Sequence, residues 1–351
     1  MTISRRHFLG TVAAAAAIPP FALHAQELPK VRFIMPGATM RPYLTYVYGG
    51  EILGFNKSLG ITTDFNGVQG SSAAVQLVLA GEGDIAHLGM LDFIFAKLKQ
   101  PTLPARLIYC QDYTSAYVTA VPADSKIQTI ADLKGKSVGV LSLASGSVWS
   151  TRSQLALAGV DPASVTLLPT GPEAGAMAAL RSGQVDAINY HIGTIGVMEN
   201  LGLKFRFFAP QIPSTGFLVS DGFLAKNRDL VVKAMQGVAL ATAFQLESPE
   251  ASVRAFYKKY GNPPGDFAKA VADNTHITKR NMAAFRQLNE TRPWGELTPK
   301  EWNDLVAFAG ASSGLTKDSK MEIFFDSSLL AEINKIDMST ATAAVKSALA
   351  Q

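Results

Sequence analysis

Apolar residues along this chain fall into short runs and helical stripes, and the two alternate. Residues 31–35 read as a strand, ended by a turn at Pro36-Gly37, and a helix follows through Tyr46, Ile52 and Phe55. Residues 61–65 form a second strand. A helix over 71–80 leads to a strand at 84–88, and another helix covers 91–99. A second rhythm begins near Ile130. It gives a strand at 137–141, a loop at Ser145-Gly146-Ser147, a helix to Ala158, a strand at 165–168, a helix over 173–181 and a strand at 185–189. A helix near 196–200 and a strand at 204–208 close it. This βαβ pattern predicts an α/β fold of two mostly parallel sheets flanked by helices. Residues 117–121 join the halves, and 216–220 read as a return strand. From Asn227 onward the pattern is helical, with Gly261 as one stop and a capping box at Thr298-Pro299-Lys300-Glu301. A last short helix covers roughly 327–336, the Ala-rich run 340–350 reads as a frayed helix, and the tail should pack on the first lobe.

Two stretches echo each other. Gly70-Ser71-Ser72, a helix, then Gly81-Glu82-Gly83-Asp84 match Gly171-Pro172-Glu173, a helix, then Gly183-Gln184-Val185-Asp186. The echo predicts two similar lobes, each sending a strand end to a shared cleft, where open α/β sheets bind ligands.

Composition narrows the class. The chain has 351 residues, 48% hydrophobic and 17% charged, enough for two packed lobes and unlike a nucleic-acid-binding chain. The formal charge of +4 includes Arg5 and Arg6, and the body of the chain has no Lys/Arg cluster. Residues 1–25 read as an export signal. Ser4-Arg5-Arg6-His7-Phe8-Leu9 fits the twin-arginine pattern, a short apolar run follows, and Leu23-His24-Ala25 is a cleavage site. The mature protein is therefore expected in the periplasm. Cys110 is the single cysteine, so no intramolecular disulfide forms, and its strand context reads as a buried small hydrophobe. We find no catalytic set, no phosphate loop and no metal-spaced cluster, and we expect no cofactor.

Candidate ligand contacts sit at helix starts and strand ends. Ser145, Gly146 and Ser147 open a helix whose free amides suit an anionic or polar group, although the serines also serve as ordinary caps. Ser71 and Ser72 repeat that logic. Ala38 and Arg41 follow the first strand, and Arg41 is suited to a carboxylate, sulfonate or phosphate, or else is a surface charge. Trp149 either stacks on a flat ligand or packs in the core. His87, Tyr190 and His191 end strands, and Tyr113, Ser115 and Thr215 border the crossover. Together they suggest a small aromatic anion.

Several segments resemble a known family. Gly54-Phe55-Asn56-Lys57-Ser58-Leu59-Gly60-Ile61, Leu79-Ala80-Gly81-Glu82-Gly83-Asp84-Ile85-Ala86 and, most specifically, Ile130-Ala131-Asp132-Leu133-Lys134-Gly135-Lys136-Ser137-Val138-Gly139-Val140 are similar to segments of nitrate/taurine/sulfonate-type solute-binding proteins of ABC importers. Asn56 departs from the family pattern. The resemblance implies a bilobal, hinge-closing type II periplasmic binding protein, with one lobe from 27–118 plus 217–351 and the other from 119–216. It implies a monomer that captures a small-molecule ligand and hands it to an ABC permease in the membrane. Two alternatives stay open: a ligand-binding partner of a membrane sensor, and a pyrimidine-precursor-binding protein or enzyme on the same fold, whose cysteine-rich motif this chain lacks.

Overall fold

The computed structural model describes residues 27–349 except 264 and 317. The expected export signal lies outside the described residues. The first run is β1 (Lys30–Met35), α1 (Thr45–Ile52), α2 (Phe55–Ser58), β2 (Thr62–Gly67), α3 (Ser71–Leu79), β3 (Ile85–Gly89), α4 (Met90–Lys99) and β4 (Ala105–Cys110). The second is β5 (Tyr117–Pro122), β6 (Ser137–Val140), α5 (Gly146–Leu157), β7 (Thr166–Pro169), α6 (Glu173–Arg181), β8 (Ala187–His191), α7 (Ile192–Asn200) and β9 (Phe205–Phe208). After β10 (Thr215–Ser220) come α8 (Asp221–Glu247), α9 (Pro249–Tyr260), α10 (Phe267–Met282), α11 (Pro299–Ser313), α12 (Leu330–Ile333) and α13 (Ser339–Leu349).

Two five-stranded sheets form, in the orders β2-β1-β3-β10-β4 and β7-β6-β8-β5-β9. Each contains one strand antiparallel to its neighbours, β10 in the first and β5 in the second. These are the strands that enter from the other sheet, so they run against the local direction. The chain passes between sheets at 111–116 and again at 209–214. Both sheets are covered on both faces. Val31, Phe33 and Met35 pack under α1, α8 and α9, while Ile34, Ala86 and Leu88 face α3, α4 and α11. That alternation is the two-residue period of a strand.

The echo is structural. Gly81 and Gly183 both take φ near +75°, at 76° and 72°, where a side chain is strained. Three residues later the aspartate closes on the neighbouring strand. The Asp84 carboxylate accepts the Arg32 N–H at 2.8 Å, and the Asp186 carboxylate accepts the Ser137 N–H at 2.9 Å. In each copy the aspartate's own N–H donates back to the same residue.

The structure corrects three expectations about helices. The first breaks at Gly54, left-handed at φ 77°, into α1 and α2. The tail does not pack on the first sheet alone: α10 lies on α7 and α11 on α5. Arg280 pairs with Glu199, and the Ser153 and Ser312 hydroxyls meet at 2.8 Å. Amphipathic α10 offers its apolar stripe to Gly196, whose missing side chain admits Ile277. Finally, α13 is docked by buried Ala341 and Val345 rather than frayed.

Candidate ligand-binding site

A cavity of about 170 Å³ lies where the carboxyl ends of the strands of both sheets converge. The loop after β1 contributes Ala38 and Arg41, the start of α3 contributes Ser71, and β3 contributes His87. From the other side come Ser145 at the start of α5, Glu173 at the start of α6, and Tyr190 and His191 at the end of β8. Thr215 of β10 and Tyr117 of β5 form the floor beside the crossings.

The walls meet through specific contacts. Tyr43 stacks on His191 with ring centroids 5.7 Å apart, and its hydroxyl lies 3.3 Å from Thr194 Oγ1. This approach needs Gly193, since a Cβ there would sit 2.5 Å from the Tyr43 ring. Gly70, at φ 107°, lets α3 meet the Ala144 carbonyl of the opposite wall, which accepts the Ser72 N–H at 3.3 Å. Arg41 spans the opening to Glu173, with Nη2 to Oε2 at 3.0 Å.

The two histidines are neutral. Burial, with the His191 ring adding to it, pushes His87 down to about 3, and burial pushes His191 down to about 4. The Tyr46 hydroxyl meets His87 Nε2 at 3.1 Å, and His87 Nδ1 has no partner among the described residues. His191 Nδ1 accepts the Gly193 N–H and so caps α7, which leaves the proton of the neutral ring on Nε2. The other hydroxyls are largely committed. The Tyr190 hydroxyl donates to the Gly171 carbonyl and meets Thr170 Oγ1, and Thr215 donates to Asp112.

The crossings are tied together beneath the cavity. Asp112 accepts the N–H and hydroxyl of both Ser214 and Thr215, and Ala116 N–H donates to Ser214 Oγ at 2.8 Å. Burial pushes Asp112 up to about 6 despite these donors.

Of the residues expected at the site, Ala38, Arg41, Ser71, His87, Ser145, Tyr190, His191 and Thr215 line the cavity. Six do not. Ser72 donates to Asp92 Oδ1 at 2.8 Å, and Ser147 pairs with Ser145 at 2.9 Å as part of the α5 cap. Ser115 and Gly146 line a separate void of about 10 Å³ behind Tyr117. Tyr113 lies under the Arg292 guanidinium, 3.7 Å from its ring centre. Trp149 packs on Phe95 at 4.4 Å, because its position on α5 faces α4 and not the opening.

Tyr43, Tyr117, Thr194 and Glu173 line the cavity without having been singled out. The echo held a signal for Glu173, which opens α6 as Ser71 opens α3. The same register sets His87 opposite Asn189, not Tyr190. Asn189 is buried, with its Nδ2 donating to Thr119 Oγ1 at 3.0 Å. Among the described residues no group of His, Cys, Asp and Glu is placed to hold a metal ion, and no helix is long and apolar enough to cross a membrane.

Comparison with known proteins places this geometry. The NMT1/THI5-like family model matches residues 41–252, more than half of the chain. A search of curated protein sequences finds no match. Among solved structures, a protein from Bordetella bronchiseptica RB50 is similar at 19% identity, with a TM-score of 0.69 over 88% of this chain and 99% of that one. The alkanesulfonate-binding protein SsuA from Xanthomonas axonopodis pv. citri, bound to MOPS, gives 0.62 at 18% identity over 88% and 99%. The desulfurization enzyme DSZB gives 0.54 at 15% identity over 87% and 98%. These likenesses show a shared bilobal periplasmic-binding-protein fold. By its match over residues 41–252, the chain belongs to the NMT1/THI5-like family.

Proposed function

We propose that this protein is an exported solute-binding component of an ABC importer. It captures a small organic solute between its lobes by hinge closure and presents the closed shape to a membrane permease. One lobe is 27–118 with 217–351, the other 119–216, and residues 1–25 direct export by the twin-arginine route. The observation that carries this reading is the cavity itself, walled by both sheets at their strand ends above two hydrogen-bonded crossings. A solute touching both walls favours the closed state by its contacts to each. The likeness to an alkanesulfonate-binding protein bound to MOPS supports this reading.

The test is native mass spectrometry of the protein purified from its periplasm, followed by small-angle scattering with and without any released molecule. A stoichiometric solute that shrinks the radius of gyration is expected. A protein that carries no solute and keeps one radius throughout would refute the proposal. The likeness to DSZB favours a second reading, an enzyme on the same fold. Conversion of the released solute by the purified protein would establish it.

A further inference from the structure

The charges around the cavity already balance. Among the residues lining it, Arg41 is the cationic side chain and Glu173 the carboxylate, and they are paired at 3.0 Å. The other titratable rings, His87 and His191, are held neutral by burial. The helix starts, a second place for an anion, are also occupied. Ser72 at the start of α3 donates to Asp92, and the other Asp92 oxygen faces the start of α5, where a Cβ on Gly146 would lie 2.8 Å from it. That oxygen is buried with no partner among the described residues. An anionic solute would have to expel Glu173 from Arg41. Displacing one member of a partly buried pair leaves its charge uncompensated, which is costly.

Size gives a second limit. About 170 Å³ is close to the roughly 150 Å³ of a cavity that holds one benzene ring. The walls also suit a ring, with Tyr43 and His191 stacked on one another and Tyr117 edge-on to His191.

Resting on the solute-binding reading above, we infer that the cavity takes an uncharged single-ring solute with hydrogen-bonding substituents, and that Glu173 is the residue that excludes anions. Arg41 and Glu173 act as a matched pair at the opening, one donating to the solute and one accepting from it. Removing either member leaves the other unpaired and shifts the preference to a solute bearing the charge of the member that was lost.

The test uses one-ring probes of similar size: benzamide, benzoate, benzenesulfonate and benzamidine. Binding of each to the full chain is measured by titration calorimetry and thermal shift. The wild type should prefer benzamide over every charged probe. Glu173→Gln should shift the preference to benzoate and benzenesulfonate, and Arg41→Gln to benzamidine, each by on the order of tenfold. A wild type that prefers benzoate or benzenesulfonate overturns the inference and leaves solute binding intact. Variants that keep the wild-type order overturn the role of Glu173. If no probe binds any form and nothing is released from the purified protein, the solute-binding reading itself falls.

Discussion

Asp92 carries a carboxyl group that folding has removed from water. Burial pushes it up to about 7, against the hydroxyls of Ser72 and Ser71, which pull it down. An unfolded aspartate titrates near 3.9, so the native chain holds the extra proton between those two values. The stability contribution of Asp92 is therefore fully present at low pH and falls as pH rises through that window. His87 and His191 act with the opposite sign. Their folded values of about 3 and 4 lie below the unfolded value near 6.5, so their contribution rises with pH up to about 6.5. The test is therefore a difference: Asp92→Asn should gain thermal stability relative to wild type as pH rises from about 4 to about 8. Unfolding midpoints across pH measure it, and a constant difference would rule out a buried titrating carboxyl at this position. Residue-scale chemistry was only partly legible in the sequence. Ser145 could be placed by its helix start, whereas His87, expected at a strand end, stands at the middle of β3. Arg41 was visible as a cation, but its partner lies 132 positions away, and no local pattern encodes that encounter.

Helix starts and stops are where local chemistry decided most. The capping box is formed as written, with the Glu301 carboxylate accepting the Thr298 N–H at 2.9 Å while Thr298 Oγ1 accepts the Glu301 N–H. Thr298→Ala should cost about 1 kcal/mol in urea unfolding. The repeated Gly–Asp strand entry supplies a paired comparison. Asp84 is 4% exposed and takes both the Arg32 N–H and its guanidinium, whereas the Asp186 side chain is 37% exposed and holds Lys136 at 3.6 Å. Asp84→Ala should therefore cost about 2 kcal/mol and Asp186→Ala about half as much. Equal losses in chemical denaturation would mean that the shared backbone closure dominates and the ion pairs add nothing. The element level also shows why Trp149 was ambiguous. It lies on α5 one turn past the loop that borders the cavity, and a rotation of about 100° per residue sends it to α4 instead.

At the scale of the whole molecule, Asp112 pins the first crossing to the second. Asp112→Ala strips acceptors from four donors on Ser214 and Thr215 and should cost about 3 kcal/mol. Hydrogen exchange should rise first at the amides of Ala116, Ser214 and Thr215. Uniform acceleration across the chain would show that Asp112 supports the fold generally and not the crossings. The tail also joins the two halves, because α10 contacts both α9 and α7, and α11 contacts α5. Periodicity, glycine stops, capping boxes and the internal echo are local signals, fixed by backbone sterics within a few residues. From them alone the sequence determined two α/β sheets, their strands, and a cleft at the strand ends. Partnership across the cleft is different in kind. Which charge meets Arg41, which wall Tyr43 stacks on and which lobe the tail covers depend on surfaces brought together only when both sheets pack. Only the tertiary structure decided these, because burial and distance in space, not spacing along the chain, set the energy of each contact.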